Sequence, residues 1–417
     1  MMKNREFSGL VAGVATTVLV VVGLLGEAFG ADVAPVLSAA EASTDSAAGQ
    51  VVTVDLDYRE VNYDFVNTSV PMTTRSEAFK KEPALSRGKV IRGTVRLGSP
   101  NKETSFAWDR SAGKLYLDLN GNQDLTDDPG GVFSCRGGAR DYYQTFANIH
   151  LPFKTLAGTR EVLVDLNFYD YGRGRPNCSA AIRWFWEGKL TLQGEEWQVG
   201  LIEDRLDRSA ALEASNLLLR RWSERNQSLS GRLYGDSSAG FPFSRKLFFG
   251  QRAYQLQCTN LLHGTNVAVQ LQLAEEKPKL GEVKITGDFV HRVTMKGSPY
   301  FVVLDQPGAS VKVPVGSYCP TKVWLKKGEA EAYLGQRSLA GGGRYEVGGK
   351  EPPRLAVGGP LTNSVSIQRQ GKYLALNYEL VGAGGPYELA VQDRSHPPEF
   401  AVYQGDKKVA SGKFEFG

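Results

Sequence analysis

Between short breaks of glycine, proline, aspartate or asparagine, this chain alternates apolar and polar residues. RLAVGG, SVSIQRQG, YLALNYELVG, YELAVQD, EFAVYQG and KKVASGKFEFG follow one another within residues 354–417. A period of two puts successive side chains on opposite faces of a pleated backbone, so each run specifies a half-buried strand. Glycine is abundant, at 47 residues, and the 41% hydrophobic content is ample for packed cores. The expected fold is mostly β, with several antiparallel β-sandwich or immunoglobulin-like units and one prominent helix. That helix is read at SAALEASNLLLRRWSERNQ (209–227), where Leu212, Leu217, Leu218, Leu219 and Trp222 fall at helical spacing. Arg220, Arg221 and Arg225 are then charges on its solvated face.

A length of 417 residues implies two or three domains. Residues 1–30 read as a signal peptide: Lys3 and Arg5 precede an apolar core at 10–26, and Ala28-Phe29-Gly30 offers small residues for cleavage near Gly30–Ala31. An uncleaved N-terminal anchor is the alternative. The expected location is therefore exported: periplasmic, extracellular or cell-surface. No later stretch is long and apolar enough to span a membrane. The Ala/Ser-rich residues 31–50 read as a flexible linker. A β-unit follows at 51–185 and a related one, carrying the helix, at 186–278. The relation rests on Gly, an apolar alternation, Gly and an aromatic strand ending in Asp, seen in both 92–118 and 187–204. A small β-domain at 279–338, a Gly-rich hinge at 339–353 and an immunoglobulin-like sandwich at 354–417 complete the order. The net charge of +4 is mild and does not argue for nucleic acid. Cys135, Cys178, Cys258 and Cys319 are an even set, so an exported chain holds one or two disulfides or retains some buried thiols.

One segment carries explicit chemistry: DLNGNQDLTDD, 118–128. With Asp118 as the first position, Asn120, Asn122 and Asp124 are the third, fifth and seventh, and Asp127 and Asp128 close the stretch. Alternating oxygen-bearing side chains wrap a tight loop around a hard cation, and calcium accepts six to eight oxygens in flexible geometry. Asp118, Asn120, Asn122, Asp124, Asp127 and Asp128 are the expected ligands of a structural calcium ion. The competing reading is a metal-free Asn-Gly turn. Four carboxylates in so short a loop repel one another unless neutralised, which favours the metal.

This loop resembles the EF-hand-like loops of dockerin modules and thrombospondin-type repeats. It departs from them at Gln123, where they place glycine, and at Pro129, where they place a bidentate acid. The flanks read as strand and Pro-Gly turn, so a β-hairpin is expected in place of two helices. VPVGSY (313–318) resembles the hairpin endings of immunoglobulin-like and carboxypeptidase-regulatory-type sandwiches. The whole pattern resembles secreted bacterial-type β-sandwich proteins with calcium loops, and no named enzyme family.

Catalytic patterns are missing from the sequence. The four histidines are scattered without an HExxH, and no GxSxG elbow, P-loop or dinucleotide fingerprint occurs. GDSSAG (235–240) reads as a polar turn. The implied role is a non-catalytic binding or cell-envelope protein with an unidentified protein or carbohydrate partner. The alternative is a carbohydrate-active hydrolase using a carboxylate pair drawn from Asp109, Asp165, Asp170, Glu203 and Asp204. RWFWEG (183–188) and NFYDYGRGR (167–175) are the densest aromatic segments. Their rings either stack on sugars or pack between sheets, and packing is the ordinary role. Alternation sends Trp184 and Trp186 to one face and Phe185 to the other.

Overall fold

A computed structural model describes residues 18–23, 51–61, 66–97, 103–136, 142–155, 158–171, 175–203, 206, 215–226, 240–263, 266–328, 330–335, 339, 343–371, 373–389 and 397–414. The chain is mostly β, in several antiparallel sheets. It forms two compact units. One comprises Gln50–Arg245 and Gln255–Ala274, and the other Met1–Gly49, Lys246–Tyr254 and Glu275–Gly417.

In the first unit, a five-stranded sheet runs Met72–Arg75, Val90–Arg96, Glu103–Asp109, Lys114–Leu117, Val132–Ser134. A four-stranded sheet runs Val66–Val70, Asn177–Ile182, Gly158–Tyr169, Tyr143–Thr155. Their inner faces meet through rings. Phe106 and Trp108 from the first lie 5.1 and 5.4 Å from Phe168 of the second, and Phe146 lies 6.0 Å from it. All four side chains are fully buried. The buried Trp108 indole donates to Gln144 Oε1 at 2.8 Å, so its one polar group is satisfied. Ala107, between Phe106 and Trp108, faces the other way, into a cluster with Phe79, Tyr116 and Leu125. The five-stranded sheet is thus covered on both faces, and one of the covering residues, Leu125, belongs to the acidic loop.

The same unit holds a third set of strands in the order Gly240–Pro242, Asn216–Arg221, Glu195–Ile202, Trp184–Leu192, Val51–Glu60, Asn266–Glu276. Val51–Glu60 pairs with both Trp184–Leu192 and Asn266–Glu276, so strands from both sequence-read β-units share a sheet. The helix expected over 209–227 is not there. Asn216–Arg221 is a strand, paired antiparallel to Glu195–Ile202 and Gly240–Pro242, followed by a single 3-10 turn, Trp222–Glu224. Residues 207–214 lie outside the described ones. The physical reason is burial on both faces: Leu217, Leu218, Leu219 and Arg220 are all buried. Three consecutive leucines fit a covered strand as well as a helix, and periodicity alone does not separate the two. Arg220 is accordingly no solvated helix charge: its Nε donates to Gln198 Oε1 at 2.5 Å inside the sheet. Arg221 lies over the Trp197 ring and pairs with Glu195, and Arg225 lies over Trp222.

RWFWEG has the expected alternation, but both sets of rings are core. Trp184 and Trp186 meet Tyr58, and Phe185 packs with Val61, Ile202 and Leu218. No ring of this segment is exposed.

In the second unit, a three-stranded sheet of Ser310–Pro314, Leu280–Thr286 and Arg354–Ala356 contributes Val283, Ile285, Val313 and Leu355 to one core. A larger set of strands contributes Val293, Met295, Val302, Tyr318, Val323 and Leu334 to it. Ala330–Leu334 pairs with Gly385–Leu389, so strands from 279–338 and 354–417 hydrogen-bond to each other. Of the segment read as a signal, only Val18–Gly23 is described, as a strand antiparallel to Glu399–Gln404. The linker read at 31–50 lies outside the described residues, as does all of GDSSAG but Gly240.

Cys178, Cys258 and Cys319 are thiols outside any disulfide, which matches the second of the two alternatives read from the sequence. Burial pushes the Cys178 thiol up strongly and that of Cys258 up to about 12. Such thiols are poor nucleophiles and poor metal ligands.

Candidate metal-binding loop

Lys114–Leu117 and Val132–Ser134 are antiparallel partners, and the acidic stretch is the connection between them. It is therefore a hairpin loop, as its flanks imply. It ends in a 3-10 turn, Pro129–Gly131, where proline at the first helical position supplies a suitable φ and lacks only an N–H that would go unpaired. Gly131 is required by close approach: a Cβ there would stand 2.3 Å from the Leu117 carbonyl oxygen.

Asp118 organises the loop. It is buried at 1% exposure, its Oδ1 accepts from the Gly121 and Asn122 amides at 2.7 and 3.1 Å, and its Oδ2 accepts from the Gln123 amide at 3.0 Å. A ladder of side-chain turns follows. Asn120 Oδ1 accepts from Asn122 N at 3.0 Å, Asn122 Oδ1 from Asp124 N at 2.7 Å, and Asp124 Oδ1 from Thr126 N at 2.9 Å. Each turn curls the backbone by two residues, which is how Asx side chains shape tight loops. Gln123 adopts φ +66°, the left-handed conformation that glycine ordinarily supplies. The departure from glycine at this position therefore changes the side chain and leaves the backbone path intact.

The remaining acids face inward or across. Asp128 Oδ2 accepts from the Leu119 amide at 3.1 Å, and Asp127 accepts from the side-chain amides of Asn120 and Asn122 at 3.1 and 2.7 Å. Burial, together with the nearby Asp118 and Asp127 charges, raises the Asp128 carboxyl above its ordinary value. Asp124 is the opposite case: the Lys81 ammonium, 2.8 Å from its Oδ2, with help from Thr126, holds it down to about 2. Lys81 also exchanges backbone hydrogen bonds with the loop, from its amide to the Gln123 carbonyl and from the Leu125 amide to its own carbonyl. Part of the charge repulsion is thus relieved by a lysine and by amides. The Lys81 charge also acts on Asp127, and Asp118 and Asp128 are met by amides.

Among the described residues, no three His, Cys, Asp or Glu side chains converge as a metal-holding group. A cation here would draw on the Asn120 and Asn122 amide oxygens as well as carboxylates. That mixed, all-oxygen donor set suits a hard ion such as calcium and is unsuited to zinc. The residues present fit the ion in chemistry.

Lys81 is placed by its neighbour. Arg92 grips Glu82 with two parallel bonds of 2.7 Å, and the Phe79 amide donates to the same carboxylate at 3.0 Å. The Arg92 guanidinium is the main cause holding the Glu82 carboxyl below its ordinary value. A depressed carboxyl contributes stability above the unfolded-state value, near pH 4, and loses it as pH falls through the lower folded-state value. Glu82→Gln should therefore cost about 1–2 kcal/mol at pH 7 and progressively less below pH 4, in urea melts at each pH. An equal cost at pH 7 and pH 2.5 would refute the ion-pair role.

The other acids considered for catalysis hold the fold. Asp109 accepts the Ser86 and Ala112 amides at 2.7 and 2.9 Å, Asp170 pairs with Arg110 at 2.9 Å, and the Trp186 indole donates to Glu203 at 2.8 Å. Asp165 pairs with Arg183 at 3.2 Å. Asp204 lies outside the described residues. The aromatic segment 167–175 differs from RWFWEG: Tyr171 is 65% exposed. Alternation in the sequence does not reveal this, because whether a second layer covers that end of the sheet is a tertiary matter.

No protein-family model, curated protein or solved structure matches this chain.

Proposed function

We propose that this is an exported, non-catalytic binding or envelope-associated β protein whose loop 118–128 holds a structural calcium ion. The observation that carries the metal is the arrangement around Asp118. One buried carboxylate gathers three loop amides while Asn120, Asn122, Asp127 and Asp128 bring further oxygens to the same short loop. Among the described residues Asp118, Asp127 and Asp128 make no ion pair, although the Lys81 charge acts on Asp127 as well, and a dication would meet their clustered charge. The ion would brace a loop whose Leu125 packs in the core, so its work is mechanical.

Calorimetric titration of calcium into chelator-stripped chain tests the metal. One site per chain is expected for wild type, and none for Asp118→Ala combined with Asp124→Ala. Heat from the double variant equal to that of wild type would refute it. Export rests on the basic and apolar N-terminal pattern. Intact-mass measurement of the chain secreted by a bacterial host is expected to show removal of the residues up to about Gly30. Full-length mass in the cytosol would count against export.

A further inference from the structure

The four-stranded sheet of the first unit has two unlike faces. One carries Phe146, Leu166, Phe168, Cys178 and Ala180, all buried. Along the other face, Tyr143 is opposite Tyr169, and Tyr169 is opposite Asn177. Two residues along, Thr145 is opposite Asn167, Asn167 opposite Ser179, and Ser179 opposite Ser69. An antiparallel sheet commonly has one packed and one solvated face. A solvated face is normally dotted with charge. Here both rows are free of Lys, Arg, Asp and Glu, and free of aliphatic side chains.

The tyrosines form a continuous file. Tyr142 lies 5.8 Å from Tyr171, Tyr171 lies 5.5 Å from Tyr169, and Tyr169 lies 6.2 Å from Tyr143 in a stacked pair. Tyr142, Tyr143 and Tyr171 are 42%, 40% and 65% exposed. The file is held in place: Asp170, between two of its members, pairs with Arg110 at 2.9 Å and donates its amide to the Tyr142 carbonyl at 2.7 Å. Arg110 in turn lies over the buried Trp108 ring. Rings held by such contacts lose little freedom when a ligand stacks on them.

We propose that this face binds a neutral glycan. Uncharged ring faces stack on the C–H faces of sugars, and the half-buried Thr145 and Ser179 beside them carry hydroxyl oxygens that can accept from sugar hydroxyls, while Asn167 between them is buried and accepts from the Thr145 hydroxyl at 2.7 Å. Neither row itself carries a lysine or arginine of the kind that attracts an acidic polymer. Neither row offers a tryptophan or an arginine, which with tyrosine most often anchor protein partners. The inference rests on the binding role proposed above and is independent of the calcium ion.

The test is co-sedimentation of the full chain with insoluble neutral polysaccharides: cellulose, a β-1,3-glucan, mannan and chitin. Wild type should be retained on at least one. Tyr143→Ala combined with Tyr171→Ala should weaken that retention about tenfold or more, since two ring contacts are removed. Tyr171→Phe, which keeps the ring, should stay within about threefold. Near-ultraviolet circular dichroism from the buried tryptophans checks that the double variant is folded. Retention on none of the four, or only on an anionic polymer, overturns the glycan. Undiminished retention of the folded double variant overturns the site while leaving the binding role standing.

Discussion

Chelation should lower the melting temperature of this chain by about 5–10 °C. A ligand present at a hundredfold its dissociation constant stabilises the folded state by about 2.7 kcal/mol, and in a unit of this size each kcal/mol is worth roughly 2–4 °C. Millimolar calcium reaches that excess for a site with a dissociation constant of roughly 10 μM, at the weak end of sensor-type loops. The loop connects two paired strands and puts Leu125 in the core, so its loosening should be felt by the whole first unit. Differential scanning calorimetry in calcium and in EDTA measures the shift. Asp118→Ala plus Asp124→Ala should melt low in both buffers. No shift for wild type, or the same shift for the double variant, would refute the calcium site.

Removal of the Arg183 guanidinium should be still more damaging. Arg183 donates from Nε to the Val61 carbonyl at 3.1 Å, and from Nη1 to Asn148 Oδ1 at 2.7 Å and Asp165 Oδ1 at 3.2 Å. Asp165 also accepts the Asn148 amide at 2.7 Å, and Asn148 takes φ +58° to deliver it. The ion-pair side chains are 9% and 7% exposed, so the pair is shielded from water. Deleting one member strands the other charge in the interior, at a cost of about 3–5 kcal/mol. Arg183→Met should therefore show that loss in urea melts. Arg183→Met with Asp165→Leu should recover a large part of it, because no charge is then left stranded. Equal losses in the single and double variants would show that the guanidinium acts through Val61 and Asn148 alone. Asp165, considered above for a catalytic carboxylate pair, is paired with Arg183 in the interior.

The strands were legible because their cause is local. Alternation at period two is a property of neighbouring residues, and runs such as YELAVQD carry it without help from the rest of the chain. The loop was legible for the same reason: oxygen-bearing side chains at alternate positions curl a backbone through turns that span two residues. Even the glutamine-for-glycine departure at Gln123 left the path unchanged, since φ +66° is open to a non-glycine residue at modest cost. The helix was misread because NLLLRR is apolar in succession, and only its strand partners on either side decide that it is extended.

What the sequence by itself determined is a β chain with turns at its glycines and one acidic hairpin loop, because these depend on residues adjacent in the chain. Tertiary structure alone decided which acids are free and which rings are covered. Lys81 reaches Asp124 across 43 positions because Glu82 is clamped by Arg92. Arg183 spends Asp165 on the fold. Trp184 and Trp186 are buried while Tyr142, Tyr143 and Tyr171 meet solvent, although all are aromatic strand or turn residues. Burial and pairing are relations between segments distant in sequence, and a one-dimensional pattern does not contain them.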